Sequence, residues 1–158
     1  MTWAMVWRIN TQRGAAEILR AFATTTLSDV TVTAALSENV DASIAVMSFT
    51  AAKTTATNGS GAIGAIGTGN ANPGAPTASL VTTMANSLVI GVGNDWDNAI
   101  SRTPDPNQTI VHQYLSPAAD AFWVQMVTTL SPAGTTVTVN NTVPTTDRYN
   151  LSICEILP

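Results

Sequence analysis

Short apolar segments of period two, each closed off by Gly, Pro, Asn or Ser, recur along the whole chain, and they constrain its fold more than any other feature. Side chains of an extended strand point alternately to opposite faces, so Val30–Leu36 (VTVTAAL) and Thr135–Asn141 (TTVTVNN) read as strands with one buried and one wet face. Ser43–Thr50 (SIAVMSFT) is apolar on both faces and is expected in the middle of a sheet. The remaining strand segments are Trp3–Ile9, Ala15–Phe22, Ala78–Thr83, Ser87–Gly93, Thr109–Leu115, Ala121–Thr129 and Arg148–Leu157. Ala15–Phe22 also admits a helical stripe through Ile18, Leu19 and Phe22, but two turns make a poor isolated helix, and the strand reading places it antiparallel to Trp3–Ile9. Nine or ten short strands with turn signals between them predict an all-β fold, an antiparallel β-sandwich of jelly-roll-like type.

The chain forms a single expected domain over residues 1–158, long enough for a real core. Residues 53–77 are expected to form one long Gly/Pro-rich loop, because they hold six of the ten glycines and two of the prolines. The run GAIGAIGTG within it lacks the features of a nucleotide loop. Pro73 and Pro76 block a following helix, and no Lys-Ser or Lys-Thr closes it.

Composition excludes several function classes. Charged residues are only 10% of the chain, against 45% hydrophobic, and the six basic residues are scattered. Nucleic-acid binding needs clustered positive charge, so it is excluded as a function. No apolar run approaches the roughly 20 residues of a membrane helix, so no membrane insertion is expected. Solubility here rests on hydroxyl and amide groups, a pattern of secreted β proteins. Cys154 is the only cysteine and reads as a small buried hydrophobe. With one His and no second Cys, a structural zinc site is not expected.

The stretches IAVMSFT, GSGAIGAIGTGNANPGAPTASLVTT, NSLVIGVGNDWDNAI, QTIVHQYL and DRYNLSICEILP together resemble a C-terminal β-sandwich module of large secreted bacterial multidomain proteins from soil and metagenomes. The resemblance runs from about residue 3 to the end. It implies an extracellular or cell-surface location within a larger secreted protein, and it implies no established activity. Related modules carry more sequence before WAMVWRI, and MTWAMVWRI has no signal-peptide pattern, so this copy is expected to be N-terminally shortened. A sandwich short of a strand exposes a sheet edge. Trp3, Met5 and Trp7 would share one apolar face, which predicts a homo-oligomer through residues 1–10.

The candidate site centres on VIGVGNDWDNAI. Asp95 and Asp97, flanked by Asn98, supply the oxygen ligands that calcium takes, with Asp105 a third carboxylate from the next turn. The competing reading is that these residues cap a turn. Trp96, Trp123 and Tyr114 could stack against sugar rings, with Asn94, Asn98 and Gln125 bonding hydroxyls. His112 lies in a strand, where a lone histidine is usually structural; the other readings are a ligand contact, or the base of a hydrolase if a hydroxyl and an orienting carboxylate stood beside it. Asp147 and Arg148 are expected to form a turn and salt bridge at the start of the last strand. The first functional reading is a non-catalytic extracellular module binding a glycan or a surface protein. The alternatives are a structural assembly subunit and a hydrolase using His112.

Overall fold

The computed structural model describes residues 1–158 and contains ten strands and one short 3-10 turn, Thr57–Ala62. The strands are β1 (Ala4–Ile9), β2 (Ala16–Arg20), β3 (Ile63–Gly74), β4 (Thr77–Val81), β5 (Leu88–Asp95), β6 (Thr103–Pro104), β7 (Gln108–Leu115), β8 (Ala121–Val127), β9 (Thr136–Val143) and β10 (Asp147–Ile156). A five-stranded sheet in the order β3-β10-β5-β8-β7 faces a three-stranded sheet in the order β4-β9-β6, and every pairing is antiparallel. From β3 to β10 every connection except that between β7 and β8 crosses from one sheet to the other. The result is the jelly-roll-like sandwich that the period-two pattern predicts.

The main core fills the space between the sheets. Leu80, Val89, Trp123, Val137, Val139, Tyr149, Leu151 and Ile153 are all buried in it. These are the inward positions of the alternation: Tyr149, Leu151 and Ile153 in β10, and Val137 and Val139 in β9. Burying each large side chain contributes roughly 1.5–3 kcal/mol, so this cluster supplies most of the drive to fold.

The outer face of the five-stranded sheet is also covered. The β1–β2 hairpin lies over β10 and β5, where Ile18 packs with Ile90 and Cys154. Burial raises the Cys154 thiol pKa to about 12, so it is an inert apolar group, as expected. Polar groups fix the hairpin in place. The Asn150 amide donates to the carbonyls of Gln12, Arg13 and Gly14 and accepts from the Gln12 N–H. Ser152 donates to the carbonyl of Ala16 at 2.8 Å. Gly14 has a φ of +79°, and any Cβ there would collide with the Asn94 amide and touch the Trp96 ring. The turn therefore needs glycine twice over, for its backbone conformation and for its closeness to the sheet.

Ala15–Phe22 resolves as strand, with β2 pairing β1 antiparallel through Ile9↔Ala16 and Met5↔Leu19. Two other expectations are overturned. Val30–Leu36 and Ser43–Thr50 are not strands; residues 21–56 contain no helix or strand. Ile44 and Val46, expected in a central strand, are 54% and 58% exposed. An alternating pattern says which side chains share a face, whereas a strand also needs a neighbouring backbone with free N–H and C=O groups. This segment crosses the sheet's outer face as a strap. Ser43 bonds His112, Met47 packs on the outer cluster, and the Lys53 N–H reaches the Leu157 carbonyl at 3.0 Å.

The second correction concerns residues 53–77. The expected loop contains β3, which at twelve residues is the longest strand. Its glycines serve close approach rather than flexibility. A Cβ at Gly67 would strike the carbonyl oxygen of Ser79, and one at Gly69 that of Thr77, because β4 passes directly against β3.

Candidate functional site

β5 ends in Asn94 and Asp95, and both side chains are fully buried. Asn94 faces outward, where its Oδ1 accepts from Asn150 at 3.2 Å and its amide reaches the Arg13 carbonyl. Asp95 is bound on both oxygens. Oδ1 accepts the N–H groups of Asp97 (2.9 Å) and Asn98 (3.3 Å), closing the turn after β5, and Oδ2 accepts from Arg102 at 3.0 Å. Arg102 also pairs with Asp147 at the start of β10, and the side chains of all three residues are shut off from solvent. The guanidinium lies 4.4 Å above the Trp123 ring, close enough for a cation–π contact. Burial pulls the Arg102 pKa below its ordinary value, and the hydrogen bond and charge of Asp95 oppose that pull.

This arrangement corrects several expected roles. Asp95 and Asp97 do not converge as a pair of free calcium ligands. Asp95 holds Arg102, and Asp97 pairs with Arg148 at 3.2 Å. Asp105 stays in the turn before β7, bonded through its backbone to Asn140 and Gln108. Asp147 and Arg148 do not pair with each other, because consecutive strand residues point to opposite faces. Trp123 is 1% exposed and belongs to the core, so it offers no sugar platform. Gln125 is buried, donating to Gln108 at 2.6 Å and to the Asn140 carbonyl at 2.8 Å. Asn94 is likewise structural. Asn98 is exposed, and its backbone closes the turn.

Tyr114, His112 and Trp96 also keep access to solvent. Tyr114, at the end of β7, stacks on Phe122 with ring centroids 6.2 Å apart. His112 is half-buried beneath the strap, its Nε2 2.8 Å from the Ser43 hydroxyl. That pair would be a nucleophile and a base, but no carboxylate bonds the ring to orient it. Trp96 is half-buried at the mouth of a cleft of ≈ 370 Å³.

The Trp96 cleft lies between the strap and the β7–β8 turn, and Asn39, Val40, Asp41, Ala118 and Asp120 complete its walls. Asp41 accepts from the Ser116 hydroxyl, and Ser116 accepts from the Ala118 N–H at 2.9 Å, which ties strap and turn together. Asp120 is 4% exposed, yet its carboxyl accepts no hydrogen bond from the chain. Burial raises its pKa, and the nearby charges of Asp41, Asp95 and Asp97 raise it further. Sequence reading missed Asn39, Asp41 and Asp120. Only tertiary folding brings the strap to the β7–β8 turn, and no local motif marks it. A second cleft of ≈ 300 Å³ between the β6–β7 and β8–β9 connections is lined by Thr, Ser, Pro and amide groups with Val127, Leu130 and Val137, and by no charged or aromatic side chain. No helix is long and apolar enough to cross a membrane.

No protein-family model matches the chain, and neither does any curated protein or solved structure.

Proposed function

We propose that this chain is a non-catalytic extracellular binding module whose ligand is a glycan. The observation that carries the reading is the Trp96 cleft, where an aromatic wall stands beside the amide of Asn39 and the carboxyls of Asp41 and Asp120. Sugar recognition pairs an apolar ring face with hydrogen-bonding groups set around it, and this cleft supplies both. Low charge and hydroxyl richness support an extracellular setting. A glycan array reads the outcome. The wild type should retain a glycan class that Trp96→Ala binds at least tenfold more weakly, about 1.4 kcal/mol. Failure to bind any glycan would remove the reading. So would turnover of an ester or glycoside that His112→Ala abolishes.

A second reading, assembly with another copy of the chain, is favoured by the outward face of the hairpin. Met5 and Leu19 pair across it and are 49% and 46% exposed, with Trp3 and Trp7 exposed nearby. Arg8 and Glu17 stand beside them, 3.1 Å apart. One acid and one base on the same patch are self-complementary about a two-fold axis, as an isologous dimer requires. Light scattering at high micromolar concentration should give a dimer or larger assembly, and Leu19→Glu should return it to monomer. A wild-type monomer at that concentration would count against assembly.

A further inference from the structure

The cleft beneath Trp96 has an unbalanced charge. Its lining holds two carboxyl groups, Asp41 and Asp120, and no basic residue. The chain has only six Lys and Arg; Arg102 and Arg148 are bound by Asp95, Asp147 and Asp97, and Arg13, whose neighbour Gly14 abuts Trp96, does not line the cleft. Asp120 is more than nine-tenths buried and has no hydrogen-bond donor from the chain. Its carboxyl therefore meets the cleft without a donor from the chain, and a bound cationic group would supply one.

We propose that this cleft receives a primary ammonium group, so that the glycan bound by the module is an amino sugar whose nitrogen carries no acyl group. The inference rests on the glycan-binding reading above and names the ligand class for it. An ammonium has three donors and no acceptor, so it can bridge Asp41 and Asp120 at once. Trp96 attracts a cation to its face and also offers a flat surface to the sugar ring. The Asn39 amide can donate to or accept from a ring hydroxyl. Calcium suits the cleft less well. It takes six to eight oxygen ligands, whereas the cleft offers two carboxyls and an amide, and no group of three metal-ligating side chains exists in the chain. Trp96 would have no part in such a site.

Isothermal titration calorimetry on the full chain at neutral pH, with three oligosaccharides of equal length, tests this. The probes are a glucosamine oligomer, its fully N-acetylated form and a glucose oligomer. The glucosamine oligomer should bind at least tenfold more tightly than the other two. Asp120→Asn should erase that margin, and Trp96→Ala should weaken all binding. A melting curve shows whether Asp120→Asn is folded. Should it unfold, Asp41→Asn, which lies on the exposed strap, carries the same test. Equal affinity for free-amine and acetylated forms would overturn the ammonium assignment and leave the glycan reading standing. Binding of none of the three would overturn the assignment, and an empty glycan array as well would overturn both. Calcium binding that Asp120→Asn removes, with no preference for the amine, would assign the cleft to a metal and overturn the proposal.

Discussion

Arg102→Ala should destabilise the chain by about 3–5 kcal/mol, the range expected when one partner of a buried ion pair is removed. Two buried carboxylates, Asp95 and Asp147, would lose their common guanidinium. The Trp123 ring would lose the cation above it, in the middle of the main core. Such a loss is a large share of the roughly 5–15 kcal/mol that holds a domain of this kind together. The network holds three ends of the sandwich together: the turn after β5, the connection into β6 and the start of β10. Neutralising the whole set should be far milder than breaking it. Arg102→Met combined with Asp95→Asn and Asp147→Asn should recover at least half of the loss, because no uncompensated charge then remains buried. Urea unfolding of the two variants beside the wild type measures both quantities. A loss under about 1 kcal/mol for Arg102→Ala would show that the triad adds little, as surface pairs do.

The fold was legible where side-chain alternation and backbone pairing agree. β9 and β10 read directly from TTVTVNN and RYNLSICEIL, because both have neighbours on each side to satisfy their ladders. Alternation misled in residues 30–50, where apolar side chains repeat correctly but the segment crosses the sheet face and finds no strand to pair with. Glycine misled in the opposite direction: Gly64, Gly67 and Gly69 resemble loop punctuation, while the structure uses them to bring β3 against β4 and Glu155. The site was half legible. Asp95 was recognisable as a turn acceptor, but its partner Arg102 sits in the unremarkable sequence ISRTPD, and nothing local announces that it folds back over Trp123. The Trp96 cleft was visible only through its aromatic wall. Its acids come from residues 41 and 120, far apart in the chain, and sequence spacing cannot report such a meeting.

Glu155→Gln should cost the chain on the order of 3 kcal/mol at pH 7, and the cost should shrink in acid. Glu155 is fully buried, and its carboxylate gathers donors from two separate elements. Oε2 accepts the Ala65 N–H at 2.8 Å from β3 and the Thr83 hydroxyl at 2.8 Å. Oε1 accepts the N–H groups of Thr83 at 2.8 Å and Met84 at 3.2 Å, in the connection between β4 and β5. An amide cannot replace this, since one of its two ends is a donor and would face N–H groups. Burial alone would raise the Glu155 pKa, but the bonds from Ala65 and Thr83 outweigh it, and the carboxyl lies below its ordinary value of 4.5. A depressed folded pKa means that the stabilisation is fully present above the unfolded value and is lost as pH falls through the folded one. The wild type should therefore lose stability below about pH 4.5 faster than Glu155→Gln, so the gap between them should narrow from pH 7 to pH 3. Urea midpoints at the two pH values read this directly. An unchanged gap at pH 3 would mean that the cost comes from shape rather than charge, and a glutamine variant as stable as wild type at pH 7 would show that the carboxylate does not join β3 to the β4–β5 connection.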